Sequence, residues 1–166
     1  MKVALFDLDD TLINTKDTIY NHLRKVHNIP IRHWSLWGSF RIEEHAPISQ
    51  EDFVEMCNEE KVFMDIKPYL FASQILKDLR MHDYHIIIET ARDGFIYDDP
   101  YGLTEQYLKE NDLEYDILIV SESGGDKVKH LGDYDKIEFT LDDQTKNCDA
   151  FAASGKIEHV LLAAEA

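Results

Sequence analysis

The chain has 166 residues, 44% of them hydrophobic, and a net charge of −16. That is enough apolar material for one domain with a real core and room for a small insertion, and it excludes a disordered chain. So acidic a chain is poorly suited to extended nucleic acid, whose binding leans on Lys and Arg displacing counterions, but it leaves room for a small phosphorylated ligand.

Residues 2–6 read as a short buried strand, because Val3-Ala4-Leu5-Phe6 is an uninterrupted apolar run. Asn14 or Thr15 is placed to cap a helix running to about Val26, with Ile19, Leu23 and Val26 on one face and Asn28 and Pro30 ending it. Residues 31–48 are aromatic-rich and irregular. Ser49, with Asp52 three residues on, predicts a capped helix to about Lys61. After Lys67-Pro68 a helix is expected over 69–82, with Leu70, Ile75, Leu76 and Leu79 at helical spacing. Strands at 84–90, 115–121, 136–142 and 157–162 then alternate with helices at 101–111, 126–131 and 145–154.

Alternating strands and helices imply a parallel α/β sheet with right-handed crossovers, wound on both faces. Residues 14–67 interrupt the alternation with helices alone. They read as a helical cap inserted after the first strand of a core formed by residues 1–13 and 68–166. Cys57 and Cys148 lack ligand spacing, and the histidines show none either, which reads them as ordinary surface or core residues. With no leader-like segment and no run near the ~20 apolar residues of a membrane span, a cytoplasmic protein away from membranes is expected.

The first strand stops at Asp7-Leu8-Asp9-Asp10-Thr11. In an open α/β sheet the carboxyl ends of the strands are where ligands bind. Two carboxylates held about 4 Å apart repel by about 4 kcal/mol at an effective dielectric near 20. Such a pair asks for a cation, and oxygen ligands on a turn suit Mg2+.

Three further segments answer this one: the strand Tyr84–Glu89 ending in Thr90-Ala91-Arg92, Lys127 after Gly124-Gly125-Asp126, and Phe139-Thr140-Leu141 followed by Asp142-Asp143. Together the four resemble the motifs of the haloacid dehalogenase (HAD) superfamily of phosphotransferases, over residues 1–13 and about 68–162. The resemblance implies that Asp7 is a nucleophile forming an aspartyl-phosphate and that Asp9 is the general acid, also offering its backbone carbonyl to the metal. It implies that Thr90 and the amides beside it, at Ala91, bind the phosphoryl group and that Lys127 neutralises charge. Asp142 completes a Mg2+ site with Asp7 and Asp9, and Asp143 is a further ligand or lies beside one. Asp10 stands where Gly is frequent in the family. Arg92, two residues past Thr90, is placed either to hold a second part of the substrate or to face solvent.

Within the superfamily the chain is similar to the small 5′(3′)-deoxyribonucleotidases, through the cap's position, the segment Val62–Pro68, the long loop Arg92–Tyr107 and the pair Asp126-Lys127. That likeness implies a nucleoside monophosphate substrate, with Trp34, Trp37 and Phe40 of the cap as candidates to stack on the base or as the cap's own small core. It leaves base, sugar, phosphate position, and monomer or homodimer open. A polynucleotide 3′-phosphatase is the alternative within the fold; the acidic charge argues against it. A non-catalytic phospho-receiver is the alternative of another class, but there the lysine comes after the acids, whereas here Asp142 follows Lys127. The whole reading requires Asp142 and Lys127 to lie within a side chain's reach of Asp7, about 8 Å.

Overall fold

The computed structural model describes residues 1–163 except 93, 123–125, 133 and 135. Five strands form one parallel sheet: β1 (Lys2–Phe6), β2 (Tyr84–Thr90), β3 (Ile117–Val120), β4 (Ile137–Asp142) and β5 (Ile157–Leu162), in the order β3-β2-β1-β4-β5. Five α-helices accompany them: α1 (Thr15–Lys25), α2 (Gln50–Glu59), α3 (Ala72–Met81), α4 (Pro100–Glu110) and α5 (Thr145–Ser154). The α/β class and the parallel sheet expected from sequence are found.

The apolar runs are explained by burial on two faces. Successive side chains along a strand point to opposite faces. Ala4 and Phe6 of β1 join Ile86 and Ile88 of β2 on one face, while Val3, Leu5 and Ile87 pack with Ile137, Leu131 and Phe151 on the other. Leu76 of α3 and Tyr107 and Leu108 of α4 pack on that face, and the same apolar cluster runs on into Ile19 and Leu23 of α1, Phe53, Val54 and Cys57 of α2, and Phe63. Residues 14–67 and the sheet therefore share a core on that side.

The chain leaves β1 for β2 and β3 on one side, then returns to β4 on the other. The carboxyl end of β1 is thus the topological switch point, where a crevice opens between diverging crossovers. The insertion's two stems are tied together beside it. Ile13 bridges Pro68, Asn14 N–H donates to the Lys67 carbonyl at 2.9 Å, and Tyr69 N–H to the Leu12 carbonyl at 2.9 Å.

Some local expectations are corrected. Asn14 precedes α1 but makes no side-chain cap, and Val26 lies past the helix end and is exposed. Helix α3 starts at Ala72 rather than 69, so Leu70 is exposed before it and Ile75 faces outward, leaving Leu76 as the fully buried residue of that stripe. The predicted cap of α2 is found, Asp52 N–H donating to Ser49 Oγ at 3.1 Å. Residues 31–48 hold two single turns of 3₁₀ helix, Trp34–Leu36 and Ile42–Glu44.

Candidate active site

Asp7 continues the β1 ladder by one residue, its N–H donating to the Leu141 carbonyl at 3.0 Å, which sets it beside Asp142 at the end of β4. The chain then turns tightly on the Leu8 carbonyl, which accepts from Thr11, Leu12 and Ile13 N–H at 3.2, 2.9 and 3.2 Å. Asp10 takes the left-handed backbone there, φ +61°, and its carboxylate accepts from Lys16 N–H at 3.0 Å. Gly is the usual residue for such a conformation, and Asp is among the few others that tolerate it. This is the physical reason the motif admits Asp10.

Lys127 opens a single 3₁₀ segment, Lys127–Leu131, after β3, whose start is capped by Asp126 accepting from Val128 N–H at 2.9 Å. Gly124 and Gly125, singled out before it, lie outside the described residues. The Lys127 ammonium reaches Asp7 Oδ1 at 2.7 Å and Asp142 Oδ2 at 3.0 Å. All three side chains are buried. Although burial disfavours the charge, Asp7 and Asp142 hold the Lys127 ammonium well above the usual lysine range. Burial pushes the Asp7 carboxyl up to about 7 against the pull of Lys127, and burial also raises Asp142 and Asp143.

Asp142 Oδ1 is aimed by Gln144 N–H at 2.9 Å, and the Asn147 amide at the start of α5 reaches both its oxygens. Carboxylate oxygens of Asp7, Asp142 and Asp143 all lie within 4.8 Å of one another. Two buried acids and the half-buried Asp143, with one lysine touching Asp7 and Asp142, retain excess negative charge, and an all-oxygen donor set fits Mg2+. Asp9 does not offer its carboxylate to this group. Its side chain turns the other way, so only its backbone carbonyl is left for the role the resemblance implies.

The Asp9 carboxylate is held by Arg92, Nη2 to Oδ1 at 2.8 Å and Nε to Oδ2 at 3.0 Å, by Thr15 Oγ1 at 2.6 Å and by Thr90 Oγ1 at 3.2 Å. Burial opposes its charge, but Arg92 and these hydroxyls hold the carboxyl below the usual aspartate range. Arg92 is buried, with its guanidinium 5.2 Å from the Phe63 ring and 5.8 Å from the Tyr107 ring. The Thr90 hydroxyl, expected to face a phosphoryl group, is spent on Asp9. Glu89, one residue earlier, is buried with neither carboxylate oxygen hydrogen-bonded, and burial pushes it up to about 8. Sequence reading did not single it out; a lone acid in the run Ile86-Ile87-Ile88-Glu89 was the available signal.

A cavity of about 670 Å³ opens above these groups. Asp7, Asp9, Lys127, Asp143, Ala91 and Arg92 form one side. The insertion supplies the other, with Trp37, Phe40 and Phe53, and Lys16 lies 5.5 Å from the Phe40 ring centre. Trp37 is buried, stacked on His45 at 5.3 Å. Trp34, the third candidate aromatic, does not line the cavity: its indole N–H donates to Asp17 at 3.0 Å.

Comparison with solved structures finds this fold in other proteins at 18% sequence identity or less. A candidate β-phosphoglucomutase from Thermotoga maritima superposes with a TM-score of 0.64 at 18% identity, over 95% of this chain and 84% of that one. A hydrolase from Streptococcus pneumoniae TIGR4 gives 0.63 at 18% identity, over 96% and 92%. A haloacid dehalogenase-like hydrolase candidate from Bacteroides fragilis gives 0.62 at 16% identity, over 93% and 84%. No protein-family model and no curated protein matches the sequence. Among the described residues no helix is long and apolar enough to cross a membrane.

Proposed function

We propose that this chain is a HAD-type phosphomonoester hydrolase whose substrates are nucleoside monophosphates. One observation carries the reading: Asp7, Lys127 and Asp142 meet within 3.0 Å contacts at the switch point, with Asp143 and the Asp9 carboxylate at the same rim. Phosphoryl transfer asks mainly for positioning and for cations that absorb charge, and this cluster offers both beside a carboxylate nucleophile.

In the proposed reaction an Asp7 oxygen attacks phosphorus and the ester P–O bond breaks, leaving an aspartyl-phosphate. The leaving alkoxide takes a proton from Asp9. Water then attacks the phosphoaspartate while Asp9 takes its proton back, which releases phosphate and restores Asp7. Lys127 stays charged throughout and neutralises both the nucleophile and the phosphoryl oxygens. Mg2+, held by Asp7, Asp142, Asp143 and the Asp9 carbonyl, would supply further charge stabilisation for the transferring group. For Asp9 to carry a proton, Arg92 must let go of it. An incoming phosphate dianion competes for the same guanidinium and provides the reason to let go.

The nucleotide assignment is supported by the half-buried Phe40 on the wall opposite the acids, since base–aromatic stacking contributes roughly 1–3 kcal/mol per base, whereas Trp37 on that wall is buried and already stacked on His45. The test is a phosphomonoester panel with and without Mg2+: deoxynucleotides, ribonucleotides, glucose phosphates and a 3′-phosphorylated oligonucleotide. Magnesium-dependent phosphate release from mononucleotides, abolished in Asp7→Asn, is expected. Preference for glucose phosphates or for the oligonucleotide would overturn the substrate class, and no turnover of any ester would overturn the reaction.

A further inference from the structure

We propose a second metal site, on the insertion and away from the cavity, in which His22, His27 and Glu60 bind a zinc-type cation. Among the described residues, two groups of potential ligands gather their donor atoms within 4.8 Å, and this is the one that the proposed chemistry does not use. His22 Nε2 is 3.1 Å from Glu60 Oε1, and His27 Nε2 is 2.8 Å from each Glu60 oxygen. The two imidazole rings stand 5.2 Å apart, tilted at 59°.

The convergence is built by two helix ends. His22 lies in the last turn of α1, and His27 follows the helix by two residues. The chain reverses there: Asn28 takes φ +52° and Ile29 N–H returns to the Leu23 carbonyl at 3.0 Å, which brings His27 back beside His22. Glu60 caps the C-terminal end of α2, its N–H on the Met56 carbonyl at 2.9 Å, and Lys61 turns the chain away at φ +53°.

Two features favour a metal over a pair of hydrogen bonds. Glu59 and Glu60 sit at the C-terminal end of α2, whose last turn has no basic residue. A carboxylate there faces the negative pole of the helix and needs a positive partner. Tetrahedral zinc, with bonds of about 2.0–2.1 Å to nitrogen and 2.0–2.2 Å to oxygen, separates neighbouring ligand atoms by roughly 3.3 Å, so the two imidazole–carboxylate distances, 3.1 and 2.8 Å, need only a few tenths of an ångström of adjustment, and the two imidazole nitrogens already lie within 4.8 Å of each other. Two imidazoles and one carboxylate suit zinc, whereas the Asp7-Asp142-Asp143 group is all oxygen. The two sites therefore select different ions. The residues between His27 and Glu60 include Trp37, Phe40 and Phe53, so a metal here pins both ends of the segment that walls the cavity.

The test is calorimetric titration of chelator-treated full-length protein with ZnCl2 in excess Mg2+, paired with thermal unfolding. One equivalent of Zn2+ is expected to bind and raise the unfolding temperature. His27→Gln, at an exposed position, and His22→Gln, at a half-buried one, should each weaken that binding at least tenfold while Asp7→Asn leaves it unchanged. Bound Co2+ should show visible d–d absorption that His27→Gln removes. Zinc affinity unchanged in both histidine variants, or lost in Asp7→Asn, would refute the site, as would a wild-type protein that takes up no zinc. None of these readouts depends on hydrolytic activity.

Discussion

The Arg92 guanidinium is forked onto the Asp9 carboxylate, Nη2 at 2.8 Å and Nε at 3.0 Å, and both residues line the same cavity. The pair fixes a resting state in which Asp9 is ionised and Arg92 is held near the rings of Phe63 and Tyr107; under the proposed function an incoming phosphate would meet it there. Removing one partner of a buried pair leaves the other charge uncompensated, which costs about 3–5 kcal/mol. Arg92→Gln is expected to lower stability toward the small end of that range, because Asp9 keeps its bonds from Thr15 and Thr90. It should also raise KM for phosphate esters more than it lowers kcat. Urea unfolding and steady-state kinetics check both, and an unchanged KM would detach Arg92 from substrate.

Leaving-group chemistry isolates Asp9. Asp9→Asn should slow phosphoryl transfer from an alkyl monoester by about 10²–10⁴-fold, the usual range for a positioned general acid. An aryl ester whose leaving oxygen needs no proton should lose much less in the first step. Single-turnover phosphate release from the two esters reads this directly, and equal losses would remove Asp9 from protonating the leaving group.

Lys127 is the one cation in direct contact with both Asp7 and Asp142 among the described residues. Lys127→Met leaves two buried carboxylates facing each other, so a loss of about 3–5 kcal/mol is expected in metal-free buffer. Added Mg2+ should restore part of that loss, raising the unfolding temperature more in the variant than in the wild type. Thermal unfolding with and without Mg2+ decides it; an equal magnesium shift in the two proteins would separate the acids from metal binding.

Glu89 gives a pH signature. Its carboxyl is raised by burial to about 8 from an ordinary value of 4.5, so the folded chain holds a proton that the unfolded chain releases. The stability this proton carries is intact below about 4.5 and is lost as pH rises toward 8, with a slope of at most about 1.4 kcal/mol per pH unit. Glu89→Gln has no such proton to lose. It should therefore match the wild type near pH 4.5 and exceed it increasingly up to pH 8, with no further gain above. Denaturation midpoints across that range would show a constant difference if Glu89 were ionised in the folded chain.

Much of the site is legible in the chain itself. Asp7, Thr90 and Asp142 each end an apolar run, and a run buried on both faces of a parallel sheet must deliver its last residue to the carboxyl edge. Lys127 follows from its place between the third and fourth strands of that pattern. Helix boundaries were less legible: Leu70 and Ile75 have helical spacing, but what they face depends on where α3 begins, and the Tyr69–Leu12 contact across the chain sets that.

What local sequence cannot encode is which side chains turn toward one another. Asp9 could face a metal ion or a guanidinium, and only the fold, by burying Arg92 near Phe63 and Tyr107, turned it to the guanidinium. Trp34 and Trp37 are three residues apart in one aromatic stretch, yet hydrogen bonds to Asp17 and to the Arg32 carbonyl send them to different places. His22, His27 and Glu60 have no spacing that marks a ligand set; two helix ends meeting in space make them one. The strands and their terminal acids were determined by apolar periodicity, a local property of the chain. The pairing of Arg92 with Asp9 and the gathering of the histidines rest on contacts between distant segments, which exist only once the core has closed.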